Sequence, residues 1–405
     1  MDSLNLTNAE PDGELASGRE RLILALNSGS SSLKFGVYRV TGDRVQKLIS
    51  GEAQALGTQA GRFEAINAHQ QPLVGESVPM ITTKHALHEV ERLLEQTQSG
   101  PLDGIGHRVV HGGPALRQPC RINKQVLEQL QQVIGFAPLH TPMALSVIEE
   151  TSRHFPEVAQ VVCVDTGFHA QMPEVACVLA LPKELREQGI QRYGFHGLSC
   201  ESIVRRFGSS LPRRLIIAHL GNGASITAVR AGQSVDTSMG LTPCGGMIMS
   251  TRSGDLDPGV LIYLIRQKGL DVAAVETLVD RQSGLLGISG LSADMRSLKI
   301  ASPTQADARL AIAMFCYSAS KQIAAMMAVL GGIDTLVFTG GIGENDAEVR
   351  ANICNGLTWT GLHLDSALNQ SGSDLISTLE STCTVRVFDS REDEEIARHT
   401  WQLIP

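Results

Sequence analysis

The feature that most limits the fold is a segment the chain uses twice. Residues 22–26, Leu-Ile-Leu-Ala-Leu, are an apolar run that reads as a buried strand. Asn27 to Ser32 follow as small or polar turn residues. Leu33, Phe35 and Val37 then alternate with Lys34, Gly36 and Tyr38 as a returning strand. Residues 215–229 align on 22–36 without a gap, and Ser225-Ile226 falls under Ser32-Leu33. Two strand–turn–strand hairpins in separate halves imply a duplicated domain with one nucleotide between the copies. Glycine in such a turn lets backbone N–H groups approach an anion closely, and Asn27, the serines and Lys34 add donors and charge. Either stretch alone is equally compatible with an ordinary polar turn.

At 405 residues the chain has room for two or three domains. A net charge of −8 argues against nucleic acid or an anionic membrane surface as partner, so a site for anionic reactants must gather its cations locally. The eight cysteines form no C-x-x-C pair, which suits reduced thiols and a cytoplasmic location. Residues 1–20 lack the basic and apolar regions of a signal peptide and are expected to be a disordered extension.

Along the chain, Leu87, Val90, Leu93 and Leu94 mark a helix within 81–98. Residues 105–113 read as a strand running into a glycine loop, with Arg108 inside the apolar run. A buried arginine needs a partner, either a neighbouring carboxylate or an anionic ligand. His107 and His111 are four apart, which on a strand leaves them about 13 Å from each other and argues against a metal pair. Thr141 is expected as the N-cap of a helix with Pro142 at its first position, preceded by His140. Residues 161–165 read as a strand ending in Asp165, where α/β folds place catalytic or metal-binding carboxylates. Glycines flank Phe195-His196, and a turn-rich stretch from Asp236 to Gly259 has Arg252 as its cation. Thr304 to Asp307 resembles a capping box opening a long, buried helix to Leu330. Residues 336–345 read as strand, glycine turn and helix start, a place for phosphate. No Walker sequence is present. The run 392–395 opens a last helix.

Taken together, LNSGSSSLKF at 26–35, GHRVVHGG at 106–113, VDTGFH at 164–169, RYGFHG at 192–197, HLGNG at 219–223, DTSMGLTP at 236–243, TRSGDLDPG at 251–259 and FTGGIGEN at 338–345 resemble the acetate kinase family over residues 21–402. The resemblance implies an α/β chain of two duplicated actin/Hsp70/sugar-kinase-like (ribonuclease H-like) domains with an active-site cleft between them. The expected division is residues 21–169 plus 390–405, and 170–389.

It also implies reversible, direct in-line transfer of the ATP γ-phosphoryl group to acetate, with Mg2+ or Mn2+, and a homodimer. The implied catalytic residues are Asp165, Arg108, Arg252, His196 and His140, with His196 and Arg252 stabilising the transition state. Arg108, Val110, Leu139, Phe195 and Pro243 match the substrate pocket, and Asn27 and Glu392 match the metal ligands. Ser30 and Ser32 share the loop of Asn27. Nucleotide contacts fall on Lys34, His219, Leu220, Gly221, Asn222, Gly223, Asp294, Met295, Arg296, Gly341, Ile342, Gly343, Glu344 and Asn345. The chain departs from the family at Met295, commonly aromatic, and at Ser390-Arg391-Glu392-Asp393, where Thr-Asn-Glu-Glu is usual. Gly245-Gly246 and Ser250 also differ. A propionate kinase with a larger acyl pocket, and a non-catalytic ATP-binding switch of the actin or Hsp70 type, are the alternatives. The two arginines, His196 and the apolar pocket argue against the switch.

Overall fold

Two mixed sheets carry the same arrangement of five strands. The first contains β1 (Arg21–Ser28), β2 (Ser32–Thr41), β3 (Arg44–Gln54), β4 (Arg62–Asn67), β5 (Pro72–Ser77), β6 (Gly104–Val109), β7 (Cys120–Arg121) and β8 (Ala159–Val164), in the order β5-β4-β3-β2-β1-β6-β8-β7. The second contains β9 (Arg214–Leu220), β10 (Ala224–Arg230), β11 (Gln233–Thr237), β12 (Thr335–Thr339) and β13 (Thr384–Val387), in the order β11-β10-β9-β12-β13. In each, a hairpin strand sits centrally, with two antiparallel strands on one side and two parallel strands on the other. This is the duplication that the repeated segment implies. The computed structural model describes residues 19–29, 32–138 and 140–405. The extension expected over 1–20 therefore lies outside the described residues except for Arg19 and Glu20, as do Ser30, Ser31 and Leu139.

The two hairpins differ at their tips. Ser28 pairs with Leu33 across four residues, whereas Leu220 pairs with Ala224 across three. The ungapped alignment therefore does not persist through the turn.

Side-chain alternation assigns the two faces of each sheet. Leu22, Leu24 and Leu26 pack under the helices Thr83–Gln96 and Thr141–His154, while Ile23 and Ala25 face the C-terminal helix Glu392–Leu403. Gly106 makes the second contact close: a Cβ there would lie 2.5 Å from Ile396 Cγ2. In the second sheet Ile216, Ala218 and Leu220 pack on the helix Ala306–Leu330, and Leu215 and Ile217 pack on the helix Gly197–Phe207. That last helix serves both halves, since its Leu198 belongs to the cluster of Ile23, Ala25 and Ile396. Arg205 Nε on it donates to both carboxylate oxygens of Glu395, at 2.8 and 2.9 Å.

Three local expectations are corrected. The helix after His140 begins at Thr141, so His140 and not Thr141 holds the N-cap position. The capping box at 304–307 does not form: Gln305 is the N-cap without a side-chain bond, and Thr304 Oγ1 donates to Ala301 O. The helix Ala306–Leu330 is buried on one face only, with Leu310, Met314 and Tyr317 exposed on another. By length and composition it is the one helix among the described residues apolar enough to cross a membrane. Here it covers the second sheet.

Candidate active site

The hairpin turns and the ends of the parallel strands bring the charged candidates together. Asn27 and Arg108 are register partners in β1 and β6. Arg108 Nη1 donates to Asn27 Oδ1 at 3.2 Å and its Nη2 donates to Asp165 Oδ2 at 2.7 Å, while Glu392 lies 3.8 Å from its Nε. Burial opposes the charge on Arg108, but Asp165, Glu392 and Asp393 outweigh it and raise its pKa. Of the two kinds of partner the sequence left open, the carboxylate is present, as Asp165.

Asp165 follows β8. Its Oδ2 also accepts the backbone N–H of His196 at 3.1 Å, and its Oδ1 accepts that of Leu198 at 3.3 Å. Burial alone would raise its pKa, yet Arg108 and these N–H groups hold it below the usual carboxylate value. His196 has φ +59°, a left-handed conformation unusual for a residue with a side chain. The two backbone bonds to Asp165 keep the chain in that conformation at the start of the helix Gly197–Phe207.

The imidazole of His196 stacks on that of His219, with ring centroids 4.1 Å apart and planes 16° from parallel. Burial, then His219, Arg108 and Arg252, push the pKa of His196 well down; burial likewise lowers that of His219. Arg252 reaches the same place from the long loop before the helix Pro258–Lys268. A Cβ on Gly223 would lie 3.1 Å from His196 Nε2 and 3.3 Å from Arg252 Nη1, so both side chains approach this turn and a larger residue there would crowd them. His140 is held near a pKa of about 4 by burial and by Arg252 and Arg108. The guanidinium groups of residues 108 and 252 therefore act on common neighbours from the two halves.

The apolar candidates are partly joined. Val110 and Phe195 lie in one buried cluster with Ala137, and Pro243 is tied to the site through its carbonyl, which accepts from Arg252 Nη1 at 3.2 Å. Leu139 lies outside the described residues. His107 and His111 have separate partners: His107 bonds Gln160, and His111 accepts from the Gly113 N–H and bonds Leu241 O.

Two groups of the nucleotide candidates, 219–223 and 341–345, lie side by side as a shelf at the ends of β9 and β12. His219 and Thr339 are register partners, so the turn Gly221–Gly223 lies beside the helix Gly340–Asn345. Glu344 folds back to accept from Gly340 N and Ser390 N, and Asn345 donates to Gly341 O. Gly343 is buried, and Ile342 packs against the core of the second half. Asp294 caps the helix Met295–Ala301 and pairs with exposed Arg296 at 2.7 Å. Met295 is buried in the core. Lys299 binds Asp346 at 2.8 Å and so ties that helix to the shelf. Lys34 is exposed opposite Asn27 on β2; burial and Glu392 raise the pKa of Asp393, and Asn27 and Lys34 offset only part of that rise.

The residues suited to a divalent cation are Asn27, Glu392 and, not picked from the sequence, Asp393. Asn27 Nδ2 donates to Glu392 Oε2 at 3.1 Å and to Asp393 Oδ1 at 3.2 Å, so two carboxylates converge on one donor. Oxygen ligands of this kind fit Mg2+. The acidic run offered the signal for Asp393, masked by its equally good fit to a helix N-terminus. A second group, Glu201, Glu395 and His399, is close enough to hold a metal, but Arg205 and the Glu201–His399 bond occupy it. Ser199, Ser225 and Ser390 also touch the site, through its histidines, and nothing in their linear spacing signals it.

Comparison with known proteins identifies the family. The model of the Acetokinase family matches residues 22–398. An acetate kinase from Methylocella silvestris is 40% identical, covering 95% of this chain and 98% of its own, and acetate kinase 2 from Neisseria meningitidis is 41% identical, covering 95% and 99%. Among solved structures, a propionate kinase from Francisella tularensis superposes with a TM-score of 0.89 at 36% identity, and acetate kinase from Porphyromonas gingivalis with 0.84 at 34%; each match covers 95% of this chain and 100% of the other. With paired sheets, a joining helix and these relatives over nearly its whole length, the chain belongs to the acetokinase family.

Proposed function

We infer that the chain is an acetate kinase, a phosphotransferase with a carboxyl group as acceptor, moving the γ-phosphoryl group of ATP to acetate and back. The observation that carries this is the approach of Arg252 and His196 to the same glycine, Gly223, together with the Arg108–Asp165 pair. A carboxylate acceptor has a pKa near ~4–5 and is ionised at neutral pH, so the site needs no general base. What it needs is cancellation of repulsion between two anions, and arginines supply that. Arg108 meets the carboxylate, with Val110, Phe195 and Pro243 around its methyl group. Arg252, His196 and His140 face the phosphoryl group in flight. Asp165 fixes Arg108 and the backbone of His196.

The turn 219–223, the helix start 341–345, residues 294–296 and Lys34 receive ATP. Asn27 and Glu392 hold Mg2+ or Mn2+, which when bound offsets charge on the phosphates. The domains divide as 21–169 plus 390–405, and 170–389; the C-terminal helix packed on the first sheet supports this. Exposed Val260, Ile262, Tyr263, Leu310, Met314 and Tyr317 support a homodimer through the second half. Eight free cysteines suit the cytoplasm.

Trapping of acyl phosphate by hydroxylamine, with acetate, propionate and butyrate as acceptors, tests the reading. ATP-dependent hydroxamate with the highest kcat/KM for acetate is expected. A higher value for propionate would make it a propionate kinase, and no product from any acceptor would overturn the kinase assignment.

A further inference from the structure

We propose that Ser225 and Ser199 are positioning residues that hold His196 and His219 in the tautomer protonated on Nε2. Two uncharged N–H donors then face the Gly221–Gly223 turn. The consequence for turnover rests on the phosphoryl-transfer reading above; the tautomer assignment does not.

The argument is an accounting of hydrogens. His196 Nδ1 lies 2.9 Å from Ser225 Oγ, and His219 Nδ1 lies 2.8 Å from Ser199 Oγ. Both serines are buried. Ser390 Oγ donates to Ser199 Oγ at 3.0 Å, so Ser390 does not take the Ser199 hydrogen, which is left for His219 Nδ1. Ser225 Oγ has His196 Nδ1 as its partner among the described residues. Were the ring to donate instead, the hydroxyl hydrogen would be buried without an acceptor, which is costly. Each serine therefore donates to Nδ1, and each neutral ring carries its proton on Nε2.

The stacking argues against charge on both rings at once. Two imidazolium rings 4.1 Å apart would repel, with Arg252 beside them. Neither Nε2 has a protein partner among the described residues, and neither is sealed from solvent. Both face the second hairpin turn: a Cβ on Gly221 would lie 3.9 Å from His219 Nε2, and one on Gly223 3.1 Å from His196 Nε2. An oxygen of a phosphoryl group arriving there meets N–H donors. The other tautomer would meet it with lone pairs. The hydroxyl chain Ser390–Ser199–His219 begins two residues before Glu392, so it also joins the C-terminal helix to this pair.

The test uses the full-length, ligand-free protein with 15N-labelled histidine at pH 7.5, read by long-range 1H–15N correlation of the rings. His196→Gln and His219→Gln assign the signals. Nε2-protonated rings are expected in the unsubstituted protein. Ser225→Ala should shift His196, and Ser199→Ala should shift His219, toward the Nδ1-protonated form. In each variant kcat should fall about ten- to a hundredfold with KM for acetate within twofold. Ser225→Thr, which keeps the hydroxyl, should restore both readouts. Nδ1-protonated rings in the unsubstituted protein, or unchanged tautomers in both alanine variants, would overturn the proposal. So would a tautomer shift that leaves kcat intact. Absence of any carboxylate kinase activity would refute the functional reading and leave the ring assignment to be decided by the spectra alone.

Discussion

Arg108 donates to Asp165 at 2.7 Å, and the carboxylate oxygen that accepts it also accepts the backbone N–H of His196. One oxygen thus sets the position of a cation from β6 and of a histidine at the head of a helix shared by both halves. Asp165→Asn keeps the shape but removes the charge that balances Arg108. We expect kcat to fall at least tenfold and the acid side of the pH–rate profile to keep its form, because Asp165 orients groups and does not take a proton. Loss of an ionisation from that profile in the variant would show that Asp165 acts as a base.

Arg108 and Arg252 answer to the same chemistry from opposite halves. Replacing either by alanine removes charge stabilisation from the transition state, for which a loss of 10²-fold or more in kcat is expected. Arg108→Ala also leaves Asp165 buried without its cation, so it should cost roughly 3–5 kcal/mol of stability, whereas Arg252→Ala should cost less. Steady-state kinetics together with urea unfolding of both variants separates the two effects.

The convergence of Glu392 and Asp393 on Asn27 Nδ2 predicts a shared cation requirement. Glu392→Gln and Asp393→Asn should each raise the Mg2+ concentration for half-maximal activity about tenfold, with Lys34→Ala moving it less. Titration of activity with Mg2+ at fixed ATP checks this. An unchanged requirement in Asp393→Asn would remove that residue from the set.

Acid should destabilise the fold through its buried histidines. Burial lowers the pKa of His107, His111 and His169 to about 4. Their ordinary value is about 6.5, so below that pH the unfolded chain takes up protons that the folded chain refuses. Stability is full above about pH 6.5 and falls as pH drops toward 4, by roughly 3 kcal/mol for a fully buried ring at the end of that range. The urea midpoint measured between pH 7.5 and 5 should fall steadily, and His107→Gln should make the slope shallower.

The exposed apolar side chains of the second half predict association. Met314→Asp combined with Tyr317→Asp on the helix Ala306–Leu330 should convert a dimer to monomer in sedimentation velocity while leaving that helix seated on the second sheet. A monomeric unsubstituted protein would dispose of the dimer.

Much was fixed along the chain itself. The repeated hairpin, the strand that carries Arg108, the strand that leads into Asp165 and the final acidic helix were legible because apolar periodicity, glycine and capping residues act over short distances. The reach of each pattern was also its limit. A fully apolar helix pattern at 306–330 did not say that one face stays uncovered, and a run of acids at 392–395 did not separate a helix N-terminus from a cation site. What tertiary structure decided was the joining of residues far apart in sequence: Arg252 with His196, Ser225 and Ser199 with the histidine rings, Asp393 with Asn27. Those contacts arise from how two sheets pack about the helix Gly197–Phe207. No local spacing records them, because a side chain in a strand carries information about which face it occupies and none about what arrives there.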